Sequence, residues 1–261
     1  MSYRNIYRTE VQKRLKPISD PPILTMEDLQ PLPESVKKYL LYVGAVGKPK
    51  IQNVRAVFNG NMKRNKKSNW MAITSQQYNF FDEPSRFFYI RAKMFGIPFD
   101  GLHVYAGTEA TMQIKVASMF QVVDAKGDKM NHGETVTVFN DICVLAPATL
   151  ISKKIQWETI DSLTVRAIYT NDKITVSSIL KFNAIGELID FVSDDRYYCE
   201  DGKTYLVYRW STPIKNYIDI KGRKVPSYGE AIWHIPYEGQ FCYAKFNLKE
   251  IEYNCTELKH L

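Results

Sequence analysis

The run Glu134–Ile151, Glu-Thr-Val-Thr-Val-Phe-Asn-Asp-Ile-Cys-Val-Leu-Ala-Pro-Ala-Thr-Leu-Ile, is the one long apolar stretch without a turn signal, and strand-like segments flank it on both sides. Val136, Phe139, Ile142, Cys143 and Ala146 recur three or four residues apart, the spacing of one helix face. Val138, Val144 and Leu145 widen that face, so the spacing predicts a helix buried on most sides. Pro147 has no amide hydrogen and its ring clashes with the preceding turn, so the helix should stop or kink near Ala146 and restart as a short Pro-initiated turn through Ile151.

Everything around this helix reads as strand. Before it, candidate strands cover 54–63, 69–79, 86–93, 102–108 and 111–123, divided by Arg64–Ser68, Asp82–Ser85, Gly96–Gly101 and Thr108–Ala110. After it, strands near 155–160, 163–169 and 174–182 are followed by others near 188–198, 204–211, 216–221, 228–235 and 240–253. Alternation is cleanest from Leu163 to Tyr169 and from Ile174 to Phe182, with Thr170-Asn171-Asp172-Lys173 turning the chain between them. Gly186, Gly202, Gly222 and Gly239 fall at turns, and so does the segment Cys199–Lys203. Short connections imply antiparallel neighbours. Ahead of the strands, Val36, Tyr39, Leu40 and Val43 follow Leu32-Pro33 with helical spacing, and Gly44 or Gly47 can end that helix. Residues 1–30 mix charge with Pro17, Pro21 and Pro22 and read as an extended or disordered arm; residues 31–261 read as a single β-rich domain.

Composition narrows the functional classes. The net charge of +7 is uneven: residues 1–70 hold 14 Lys and Arg against 5 Asp and Glu, leaving 21 against 23 for the remainder. Only the N-terminal quarter is basic. Its turn Lys63-Arg64-Asn65-Lys66-Lys67 could touch phosphate or an anionic membrane peripherally, although a solvated loop is the commoner account of such a run. Aromatic residues make up 13% of the chain, but few cations interleave with them outside that quarter, which favours core packing over base stacking and argues against nucleic acid as a partner. No window approaches 18 uninterrupted apolar residues, and no apolar segment follows the basic residues near the start. The chain as it stands reads as soluble and cytoplasmic, with a leader or anchor upstream left open.

The chemistry-bearing signatures are sparse. Gly-x-Ser-x-Gly, His-Glu-x-x-His and a phosphate-binding glycine loop are all missing from the sequence. Cys143, Cys199, Cys242 and Cys255 lack ligand spacing, and His103, His132, His234 and His260 lie far apart, so no metal and no cofactor are expected. The most interesting polar group is Asp190, Asp194, Asp195 and Arg196, whose strand partners could bring Glu230 and His234. Asp195, Arg196, Glu230 and His234 are therefore the catalytic candidates, since paired carboxylates beside a cation shift one another's protonation. A structural ion pair is the simpler reading of the same residues. Asn140-Asp141 is a polar pair inside a buried helix, where it needs partners: it lines a cavity, or else it faces solvent or bonds a loop backbone.

Leu32-Pro33-x-x-Val36-x-x-Tyr39-Leu40, Phe139-Asn140-Asp141 with Pro147-Ala148-Thr149-Leu150, Asp195-Arg196, Trp210-Ser211-Thr212-Pro213 and Gly229-Glu230-Ala231-x-Trp233 together resemble an uncharacterised bacterial family with a domain of unknown function. The resemblance spans about residues 30–254. It implies a bacterial origin and a domain boundary near residue 30, and it carries no activity over.

The expected fold is mainly β (α+β): a large curved antiparallel sheet or open barrel of two meanders with a central buried helix. A wide sheet twists and curls, and its apolar concave face needs cover, for which the central helix is the natural candidate. That arrangement resembles the open barrels of bacterial lipoprotein carriers and related lipid-binding proteins. The expected function is binding of an apolar or amphipathic, lipid-like ligand in the hollow between sheet and helix, with Phe139, Asn140, Asp141, Trp210 and Trp233 lining it. The alternatives are an enzyme using Asp195, Arg196 and Glu230, and a scaffold without a pocket. A hollow of about 300 Å³ or more lined by aromatics would distinguish binder from scaffold. Oligomeric state is not legible.

Overall fold

Period-two alternation on both sides of one apolar run produces a single antiparallel sheet that curls into a half-barrel around that run. The structure, a computed structural model, describes residues 2–18, 20–94, 96–117, 120–199 and 204–259. His260 and, apart from Cys199, the expected turn at Cys199–Lys203 with its Gly202 lie outside the described residues. The first meander comprises β1 (Asn53–Met62), β2 (Met71–Phe80), β3 (Ser85–Met94), β4 (Ile97–Ala106), β5 (Glu109–Val116) and β6 (Phe120–Lys126). The second comprises β7 (Ile155–Asp161), β8 (Thr164–Asn171), β9 (Ile174–Phe182), β10 (Leu188–Tyr198), β11 (Leu206–Ser211), β12 (Ile214–Ile220), β13 (Arg223–Ile235) and β14 (Gly239–Tyr253). Their order across the sheet is β6-β5-β4-β3-β2-β1-β14-β13-β11-β10-β9-β8-β7, with β12 paired to β13 beside that path.

Helix α3 (Asp128–Leu145) runs through the hollow. It starts six residues before the apolar run, and Pro147 ends it as expected, with a short turn of helix over Pro147–Ile151. Val136, Phe139 and Cys143 are completely buried, because the helix meets one wall of the half-barrel on each side. Phe139 lies parallel to Tyr169 with ring centres 5.0 Å apart and meets Phe191 edge-on at 5.7 Å. Helix α2 (Glu34–Tyr42) follows Pro33 and ends before Gly44, whose φ of +64° suits glycine. Its Tyr39 hydroxyl donates to the Cys143 carbonyl at 2.8 Å, fastening the C-terminal turns of α3.

Three expectations need correction. Residues 3–14, read as part of an extended or disordered arm, form helix α1 (Tyr3–Arg14), capped by Ser2 and docked on the convex face of β3 and β4. Tyr3, Tyr7 and Val11 recur every four residues and are buried on Tyr78, Phe87, Tyr89 and Leu102, with Ile6 packed partly against the same cluster; four apolar positions among eight polar ones hide the period. Gly96–Gly101, expected as a turn, is mostly β4, with Gly101 paired opposite Ile90 and Ile114. The segment 111–123 is two strands, broken near Ala117, whose φ is +50°.

Candidate functional site

Successive strand residues face opposite sides, and on β3 this alternation sorts chemistry. Phe87 and Tyr89 point out towards α1, whereas Arg86 and Phe88 point into the hollow. Gln77 and Asn79 of β2 and His103 of β4 join Arg86 on the inner face, making this wall polar and cationic. The opposite wall, from β8, β10, β11 and β13, is aromatic: Tyr169, Phe191, Trp210 and Trp233. Helix α3 stands between the two.

Glu134 and Asp141 are seven residues apart, two helical turns, so both face the cationic wall. Arg86 Nε donates to Asp141 Oδ2 at 2.7 Å, and the same oxygen accepts from Asn79 at 2.9 Å and Gln77 at 3.1 Å. Glu134, only 2% exposed, accepts from Arg196 Nη2 at 3.2 Å and Thr137 at 3.2 Å, while Arg86 Nη1 lies 3.7 Å from its other oxygen. Arg196 reaches inward from β10, over the Trp210 ring at 4.2 Å and the Trp233 ring at 5.5 Å. Its Nη1 donates to the Tyr243 hydroxyl, which also accepts from Trp210 Nε1, both at 3.2 Å. Two guanidinium groups thus face two carboxylates, and the buried charge balances.

His103 completes the cluster. Its Nδ1 lies 3.5 Å from Arg86 Nη1, which can only donate, so Nδ1 is the acceptor and the proton belongs on Nε2. Nε2 is 3.0 Å from Glu134 Oε2, yet neither atom makes an aligned hydrogen bond. Burial drives the His103 pKa down to about 4, with Arg86 and Arg196 adding to the effect and Glu134 opposing it. Burial alone would raise the Glu134 carboxyl; His103, Arg196 and Arg86 outweigh it and hold the carboxyl below its ordinary range. The ring is neutral at pH 7. The unfolded chain protonates this histidine near 6.5 and the folded one only near 4, so the stabilisation is complete above 6.5 and is lost as pH falls from 6.5 to 4. It amounts to at most about 3 kcal/mol. The stability difference between wild type and His103→Gln, followed by urea unfolding, should therefore change between pH 7.5 and 4.5. Parallel pH profiles would place His103 outside this linkage.

The proposed acid/base group is not formed. Asp195 and Arg196 are adjacent on a strand and point to opposite faces, and Asp195 accepts from the Ser177 amide at 2.6 Å on the neighbouring strand. Glu230 accepts from the Tyr228 hydroxyl and sits opposite Lys245 on β14. His234 Nε2 is 2.8 Å from Ser211 Oγ. The carboxylate that Arg196 meets is Glu134. Among the lining candidates, Asn140 donates to Thr212 Oγ1 at 2.6 Å, and Phe139 and Trp210 both pack on Phe191. Trp233 stacks on Tyr243. Arg86, His103, Glu134, Gln77 and Asn79 escaped the sequence reading as site members. The usable signals were a lone Arg at the head of the aromatic strand Ser-Arg-Phe-Phe-Tyr and the seven-residue spacing of Glu134 and Asp141. A cavity of about 300 Å³ lies away from the aromatic wall, lined by Arg14, Asp82, Glu83, Pro84, Ser85, Gly107 and Lys154.

A model described as a family of unknown function (DUF6544) matches residues 22–246, taking in α2, α3 and nearly the whole sheet. The chain belongs to that family. The paired residues Arg86, His103, Glu134, Asp141 and Arg196 all fall inside the matched span, and α1 precedes it. A search of curated proteins returned no match. Among solved structures, the chain is similar to a LolA-superfamily protein of Nitrosomonas europaea, with 8% identity, 84% of this chain and 93% of that one covered, and a TM-score of 0.43. A DUF1329-family protein of Desulfovibrio piger gives 11% identity, 84% and 91% coverage and a TM-score of 0.44. An outer-membrane lipoprotein-sorting protein domain of Vibrio parahaemolyticus gives 9%, 77% and 85%, and 0.39. Among the described residues, no helix is long and apolar enough to cross a membrane.

Proposed function

We propose that the protein binds an amphipathic, lipid-like molecule inside the half-barrel, and that α3 is the element such a molecule displaces. The observation carrying this reading is the division of the inner surface into two walls. An apolar body suits Tyr169, Phe191, Trp210 and Trp233, and a polar or anionic head suits Arg86 and the neutral His103 of the first wall together with Arg196, which reaches across from β10 of the aromatic one. Glu134 and Asp141 of α3 now meet the two guanidinium groups, by contacts a ligand could exchange. Pulling α3 away unaided would strand the buried Arg86 and Arg196 charges at a cost of several kcal/mol, whereas an anionic head that takes the place of Glu134 and Asp141 offsets that cost as it enters.

The test is a titration of purified, lipid-extracted protein with a fluorescent fatty acid. Saturable binding that quenches tryptophan emission, accompanied by faster hydrogen exchange of the α3 amides, is the expected outcome. The packing of Phe139 against Tyr169 and Phe191 supports a second reading, a scaffold whose hollow is permanently plugged. No binding, with α3 amides exchanging only through global unfolding, would establish the scaffold and reject the binder.

A further inference from the structure

We infer that the hairpin tips at one edge of the sheet form a docking surface for an anionic membrane, a property independent of what the hollow holds. The β1–β2 tip carries Lys63, Arg64, Lys66 and Lys67, and Lys245 of β14 lies beside it. Trp70, exposed at the same tip, has Lys63 Nζ at 4.8 Å and Lys245 Nζ at 5.0 Å from its ring centre. The tip is ordered: Asn65 Oδ1 accepts from the Lys67 amide at 3.1 Å and the Ser68 amide at 2.9 Å.

The β13–β14 tip is tied to it, since Lys66 Nζ donates to the Glu238 carbonyl at 2.6 Å and lies 3.3 Å from its carboxylate. Here Tyr237 projects with its side chain fully exposed, on a backbone with φ of +64°. A bulky residue seldom adopts this region, where glycine costs little, and nothing in the fold is gained by burying the ring. A large aromatic held in water on a strained turn, next to a second exposed aromatic and five cations offset by a single carboxylate, has the composition that partitions into the headgroup layer. There, Trp and Tyr seat at the interface and Lys and Arg meet acidic lipid. The next tip along the same edge, β3–β4, adds exposed Ile97. A solvated loop would explain the lysines but neither aromatic.

Sedimentation of the full chain with vesicles tests the assignment, using phosphatidylcholine alone and an equal mixture with phosphatidylglycerol. Binding to the mixed vesicles, little to the neutral ones, and release at 1 M salt, where the Debye length is about 3 Å, are expected. Arg64→Gln combined with Lys67→Gln should reduce partitioning by about twenty-fivefold, about fivefold for each cation. Tyr237→Gly should also weaken binding while leaving the thermal midpoint unchanged or higher, which separates docking from folding. Equal binding to both vesicles, binding to neither, or wild-type partitioning by the variants would overturn the inference. So would tighter binding to a single-stranded oligonucleotide than to the anionic vesicles.

Discussion

Arg196→Met should destabilise the protein by about 3–5 kcal/mol, the scale for stranding one member of a buried ion pair. The residue lost is one of two guanidinium groups facing Glu134, and it also bridges to Tyr243 and covers Trp210. Adding Glu134→Gln should restore part of that loss, because the second change removes the uncompensated charge the first leaves behind. Pairing Arg196→Met with Glu230→Gln should instead give the sum of the two single effects, since Glu230 belongs to Tyr228. Urea unfolding of the three single and two double variants measures both couplings. Additive losses for the Arg196 and Glu134 pair would mean that α3 does not sit on this wall.

Phe139→Asp should leave no cooperative thermal transition. Phe139 is wholly buried between Tyr169 and Phe191, and no cation faces it there among the described contacts. An ionised carboxylate in that position costs several kcal/mol, added to the lost aromatic burial, against a typical domain stability of about 5–15 kcal/mol. Near-ultraviolet circular dichroism on heating reports the result. A midpoint within a few degrees of wild type would move Phe139 to the surface and remove α3 from the hollow.

The helix and the strands were legible because their periods were: apolar residues three and four apart over 134–146, and alternation from Leu163 to Phe182. Pro147 marked the helix end for a covalent reason that no packing can override. What lay beyond reading was every relation set by the closing of the sheet. Arg196 was assigned to Asp195 and Glu230 by proximity along strands, whereas curling brings it to Glu134, 62 positions away. Likewise, the inner wall of Gln77, Asn79, Arg86 and His103 exists only once β2, β3 and β4 pair in register. Helix α1 was missed because its three buried positions sit among charges, and its partner surface, the convex face of β3 and β4, is assembled by the fold.

The seam of the sheet joins its first strand to its last: Val54 pairs with Tyr253 and Met62 with Ala244, and Asn53 holds Cys255 through both of its side-chain ends. In the finished molecule β1 is an interior strand. On the ribosome, where chains emerge from the N-terminus at about 5–20 residues per second, it is a border with bare amides and carbonyls until β14, about 180 residues further on, has been made. The permanent borders, β6 and β7, are the two strands that flank α3 in sequence. The nascent protein therefore carries its greatest risk of pairing with a neighbouring copy along β1, a hazard that ends only when β14 arrives to cover it.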